Sequence, residues 1–111
     1  MKKSEREILL KEFENWLCDN TTVWATEFMG INGRRFRFDY VIHPNTDRIA
    51  VEINGGQWIN GRHNRGGKAY ENDLEKSNLA QANGWLYLQF TYEMLARGDH
   101  FKILDKVLLG K

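Results

Sequence analysis

Between Arg34 and Gln57 the chain alternates apolar and polar positions with period two. Phe36, Phe38, Tyr40 and Ile42 interleave with Arg35, Arg37, Asp39 and Val41. Ile49, Val51 and Ile53 then interleave with Ala50, Glu52 and Asn54. Aromatic and β-branched residues at that spacing predict two half-buried strands, and Pro44-Asn45-Thr46-Asp47 between them is turn chemistry. A hairpin symmetric about the Asn45–Thr46 bond sets Tyr40 across from Val51 and Ile42 across from Ile49. Asp39 then lies opposite Glu52 on the other face. A one-residue slip would push both carboxylates among the apolar side chains, so burial selects the register. Opposed Cβ atoms stand roughly 5 Å apart. Two carboxylates that close repel unless something cationic joins them, and a hard divalent ion is the natural candidate. The plain alternative is a polar sheet face with two solvated carboxylates.

Around this hairpin the pattern predicts further elements. Ser4–Cys18 reads as a helix with Ser4 as N-cap, Glu7 three residues on, and a stripe of Ile8, Leu9, Phe13, Trp16 and Leu17. Glu5 and Glu12 fall on that stripe and Glu14 on the opposite side. Val23–Gly30 reads as a strand that pairs with Arg34–His43 through an Asn32-Gly33 turn. A strict two-residue loop puts Glu27 opposite Phe38, and a bulge puts it beside Asp39. GGQWINGRHNRGGK is a glycine-rich basic loop without the ending of a phosphate-binding P-loop. Ala69–Asn83 is a second long helix ended by Gly84, with Tyr70, Leu74, Ser77 and Ala80 inward and Asp73 on the same side. Trp85–Phe90 alternates little and reads as a central strand. Thr91 caps a short helical turn. Asp99 caps a last amphipathic helix bearing Ile103, Leu104, Val107 and Leu108. The order α-β-β-β-α-β-α implies an α/β fold, a four-stranded mixed sheet flanked by helices.

Composition narrows the class. A chain of 111 residues, 41% hydrophobic and 13% aromatic, fits one soluble domain over 1–111. Its lone cysteine, Cys18, rules out an internal disulfide framework and fits a reducing cytoplasm. No apolar run reaches the length of a membrane span. The net charge of +1 says little, but its distribution says more. Arg34, Arg35 and Arg37 form one basic cluster, and Arg62, His63, Arg65 and Lys68 form another. Both flank the carboxylate hairpin, where they suit phosphate backbone binding or are ordinary solvated surface.

The segments RRFRFDY, AVEINGGQW, GRHNRG, YENDLEKSNLAQANGW and LQFT, in this order, resemble the PD-(D/E)XK nuclease superfamily. Within it the chain is similar to small phage and bacterial endonucleases related to the VRR-NUC and very-short-patch-repair groups. The resemblance implies a restriction-endonuclease-like core. It implies Asp39 and Glu52 as ligands of Mg²⁺, with Mn²⁺ able to substitute. Asn54 stands where many members have a lysine, so Gln57, Lys68, Lys76 or His63 is expected to take that role. A glutamate from the first helix often completes such sites, and Glu5 and Glu12 are the candidates, with Glu12 placed in the catalytic set. Arg35, Arg37, Arg62, Arg65, Lys68 and Lys76 are expected to hold DNA.

Phosphodiester hydrolysis suits this set. A carboxylate-held Mg²⁺ polarises the phosphate and acidifies a bound water, and an imidazole such as His63 shuttles protons near neutral pH. The expected function is therefore a metal-dependent DNA endonuclease in DNA repair or recombination, with branched or mismatched DNA and a homodimer as open options. Its rival is a non-catalytic DNA-binding module on the same fold, and an RNA nuclease is a third reading.

Overall fold

The structure, a computed structural model, describes residues 1–54, 58–59, 62–63 and 67–110, with backbone alone at 58, 59, 62, 63 and 69. In chain order the elements are α1 (Lys3–Asn20), β1 (Trp24–Phe28), β2 (Phe38–Ile42), β3 (Ile49–Ile53), β4 (Trp58–Ile59), β5 (Arg62–His63), α2 (Gly67–Ala82), β6 (Leu86–Phe90), α3 (Tyr92–Arg97) and α4 (Asp99–Leu109). Four strands form one mixed sheet in the order β1-β2-β3-β6. β1, β2 and β3 are antiparallel neighbours, and β6 runs parallel to β3.

The central hairpin has the register that burial selects. Tyr40 pairs with Val51 and Ile42 with Ile49. These four side chains form one core with Phe13 and Leu17 of α1, Leu95 of α3 and Leu104 of α4. On the opposite face Phe38, Val41 and Ala50 pack with Ile31, with Ala80 of α2 and with Trp85 just before β6. The domain is thus three layers, with α1, α3 and α4 on one side of the sheet and α2 on the other.

Several expectations fail for local reasons. β6 is an edge strand of this sheet, not a central one. Its apolar residues face both ways because helices cover both faces: Leu88 joins the α1 core and Tyr87 the α2 core. α1 begins at Lys3, with Lys2 at the N-cap and no side-chain cap, so Ser4 lies inside the helix. Asp99 lies in the first turn of α4 behind a left-handed Gly98, and its carboxylate receives Arg97 Nη2 at 2.9 Å. Thr91 does cap α3, accepting from the Met94 N–H. The basic loop holds a short antiparallel hairpin, β4 with β5. α2 is rotated from the expected face: Tyr70 is 54% and Leu74 46% exposed. Lys76 and Leu79 are half-buried beside the buried Ala80.

Residues 34–37 lie outside β2 and form the end of a loop from Met29 to Arg37. Gly33 takes φ 78 in its turn, where Arg34 N–H donates to the Ile31 carbonyl at 3.2 Å. Gly30 anchors the loop's start. Its carbonyl accepts from Trp85 Nε1 at 3.2 Å, and a Cβ there would lie 2.6 Å from the Trp85 ring.

Candidate functional site

Strand alternation directs Val51 toward α1, and so directs Glu52 toward α2. Glu52 is buried, at 7% exposure. A carboxylate so placed needs a compensating partner, and α2 provides one. Lys76 Nζ donates to Glu52 Oε1 and to the Arg37 carbonyl, the latter at 2.5 Å. The ammonium also lies 5.7 Å from the centre of the Phe38 ring. One lysine thus joins β3, α2 and the end of the arginine loop.

Continued one step past the Tyr40–Val51 pair, the hairpin register sets Asp39 across from Glu52. Asp39 Oδ2 accepts the Ile53 N–H at 2.8 Å, which fixes the carboxylate against β3. Burial first of all raises the Glu52 pKa to about 7. The Lys76 hydrogen bond and charge oppose that rise, while the Asp39 charge and a hydrogen bond shared with Asp39 add to it. Tyr87, below them on β6, is pushed well above the usual phenol range by burial and by the charges of Glu52, Asp39 and Asp73.

On its other flank Asp39 lines a pocket of 380 Å³ with Leu10, Glu14, Thr26, Glu27, Tyr40, Ile53 and Tyr92. Glu14 Oε2 accepts from the Tyr40 hydroxyl at 2.6 Å. That bond, after burial, holds the Tyr40 proton on more firmly than usual. The β1–β2 register, which pairs Thr26 with Tyr40 and Phe28 with Phe38, brings Glu27 beside Asp39; it does so with no inserted residue, because the loop from Met29 to Arg37 replaces the expected two-residue turn. Glu27 sits at φ 50, a left-handed conformation uncommon for a residue with a side chain.

The helix glutamate at the site is therefore Glu14. Glu5 and Glu12 are exposed on other faces of α1, and Glu12 lines a shallow groove with Ser4, Glu7, Ile8, Lys11 and Asn15. The expected stripe included Ile8, which is 61% exposed. At about 100° per residue, replacing Ile8 by Leu10 turns the stripe toward Glu14 and away from Glu12. Leu10 packs against the core, so the signal was present in the order of the leucines.

The remaining candidates divide. Lys76 is at the site. Arg35 and Arg37 are exposed on the adjoining loop, and Lys68 is exposed near the start of α2. Arg34 pairs with Glu75 of α2 and lies over the Phe36 ring at 4.5 Å. Asn54 donates its side-chain N–H to Gln89 Oε1 at 2.7 Å. Gln57 and Arg65 lie outside the described residues, as do the side chains of His63 and Arg62, whose backbones form β5.

The donor set fits a hard cation. Asp39 and Glu52 adjoin, and a cation, the Lys76 ammonium, is already drawn onto Glu52. Among the described residues no group of three His, Cys, Asp or Glu forms a ready metal cage. Mg²⁺ does not need one, since it keeps several waters and commonly takes one or two carboxylates plus substrate phosphate. Among the described residues, no helix is long and apolar enough to cross a membrane.

No protein family, no curated protein and no solved structure matches this chain. The reading of function rests on its own residues.

Proposed function

We propose that the chain is a Mg²⁺-dependent endonuclease hydrolysing DNA phosphodiester bonds on a restriction-endonuclease-like core of the PD-(D/E)XK type. The observation that carries this reading is the buried Glu52 beside Asp39 with Lys76 bonded to it. The order of elements supports it as well: a helix, a three-stranded meander, a crossover helix and a strand parallel to the third.

Asp39 and Glu52 would hold the ion. When bound, Mg²⁺ supplies charge for the phosphate oxygens and a more acidic water. Asp39 is held for this by the Ile53 N–H. Lys76 supplies, from α2, the fixed positive charge that a lysine at position 54 would have supplied. Arg35 and Arg37 hold the phosphate backbone beside the site by charge and forked hydrogen bonds. The sequence also offers Arg62, Arg65 and Lys68 for backbone binding and His63 for proton handling. Branched and mismatched DNA are the first substrates to try. A homodimer in the cytoplasm, acting in repair or recombination, completes the proposal.

Calorimetric titration with Mg²⁺ tests the site. Wild-type protein should bind the ion, and Asp39→Asn and Glu52→Gln should not. DNA binding that is indifferent to metal, with no heat from Mg²⁺, would select the DNA-binding module instead. Asn54, already bonded to Gln89, would then mark a lost lysine.

A further inference from the structure

Two consecutive residues of α2 strap down the loop that carries Arg35 and Arg37. Glu75 pairs with Arg34 in the loop's second half. Lys76 bonds the Arg37 carbonyl at its end. The same Lys76 ammonium bonds Glu52. Its side chain is 18% exposed and that of Glu52 10%. Neither group can change partner without affecting the other.

We propose that Lys76 is a positioning residue that couples cation occupancy at Asp39–Glu52 to the conformation of the arginine loop. The inference rests on the reading of Asp39 and Glu52 as a cation site, and it goes beyond it. An ammonium and a divalent ion compete for the same carboxylate oxygen. When Glu52 turns to the ion, Lys76 loses the acceptor that fixes its Nζ, and its bond to the Arg37 carbonyl loosens. The loop end next to Asp39 is then free to present Arg37 to a phosphate. Any such coupling is reciprocal, so nucleic acid that draws Arg37 away from Lys76 also favours the ion. The Arg34–Glu75 pair and the Trp85–Gly30 bond keep the rest of the loop in place, which confines the change to its last residues.

The amide N–H of Phe38 shares its peptide group with the Arg37 carbonyl and reports on the bond that carbonyl accepts. Isotope-labelled full-length protein at pH 8.5, without DNA, is titrated with Mg²⁺ while the Glu52 side-chain carboxyl and the Phe38 amide are followed by NMR. Both signals should move with one midpoint. In Lys76→Met the Phe38 amide should start at a displaced position and stay there, while Glu52 still responds. A Glu52 shift with a static Phe38 amide in wild type overturns the coupling and leaves the cation site intact. A Phe38 shift that follows the ion equally in Lys76→Met reflects mere proximity and also overturns it. A Glu52 signal indifferent to Mg²⁺ overturns the cation site and the coupling together. Should Lys76→Met fail to fold, Lys76→Ala takes its place in the same comparison, with the same expected and contrary outcomes.

Discussion

The two faces of the sheet each bury an ionisable side chain, on different terms. On the α1 side His100 is 1% exposed, and neither ring nitrogen has a hydrogen-bond partner among the described residues. Its ring lies 3.8 Å from that of Phe101 and edge-on to Phe13 at 5.1 Å. Burial lowers its pKa to about 4, and Asp99 offsets this only in part. His100 therefore stays neutral at physiological pH and serves as an aromatic filler. On the α2 side Glu52 is nearly as buried, but a lysine is bonded to it and a second carboxylate adjoins it. Burial without a partner silences a titratable group. Burial beside a partner and a like charge leaves it poised near neutrality, as a functional site demands. The histidine packed among rings and the glutamate bonded to a lysine thus differ in electrostatic character despite similar depth.

Removing the site's charge should give the largest effect. Asp39→Asn and Glu52→Gln should each abolish Mg²⁺-dependent cleavage while circular dichroism still shows a folded chain: Asp39→Asn relieves like-charge repulsion, and in Glu52→Gln the amide oxygen still accepts from Lys76. Lys76→Met comes next: about 10²-fold or more slower cleavage under single-turnover conditions, the usual cost of one positioned donor.

The pH dependence of stability separates the two faces. His100 titrates near 4 when folded against 6.5 in its ordinary state. Its contribution is whole above pH 6.5 and is lost as pH falls toward 4, on the order of 3 kcal/mol. Glu52 has the opposite sign. Its folded value of about 7 exceeds the ordinary 4.5, so its cost is absent below pH 4.5 and grows as pH rises to 7. Thermal denaturation across pH 4–8 should show His100→Phe flattening the acid loss and Glu52→Gln flattening the loss toward neutrality. The same slope in both variants and wild type would show that the two faces do not differ in this way.

The smallest expected effect belongs to the exposed arginines. Arg35→Ala and Arg37→Ala should each reduce the magnitude of the salt slope of DNA binding by about one unit of log K per log salt. Unchanged slopes would assign them to ordinary surface.

The central hairpin was legible because period two leaves one register that buries Tyr40, Ile42, Ile49 and Val51, and that register carries Asp39 to Glu52. Helix faces were less legible. α1 was turned by one exposed isoleucine, Ile8, which hid Glu14. α2 was turned by the assumption that Tyr70 and Leu74 seek the core, when Lys76 faces the sheet because Glu52 is there to receive it. Only tertiary pairing makes a lysine an inward residue, and no period in the sequence announces it. On the proposed PD-(D/E)XK reading, with Asn at position 54, Lys76 is one of several residues that the sequence offers in place of a motif lysine. Its bond to Glu52 singles it out from Lys68, which is exposed near the start of the same helix.

The most direct test is cleavage itself. Purified protein, with Glu52→Gln prepared in parallel as a control for contaminating nuclease, is incubated with linear, nicked, flapped and four-way DNA in Mg²⁺, in Mn²⁺ and in chelator. Wild type should cut at least one substrate with either metal, cut none in chelator, and lose all cutting in Glu52→Gln. No cleavage of any substrate with either metal, or equal cleavage by the variant, would contradict the account.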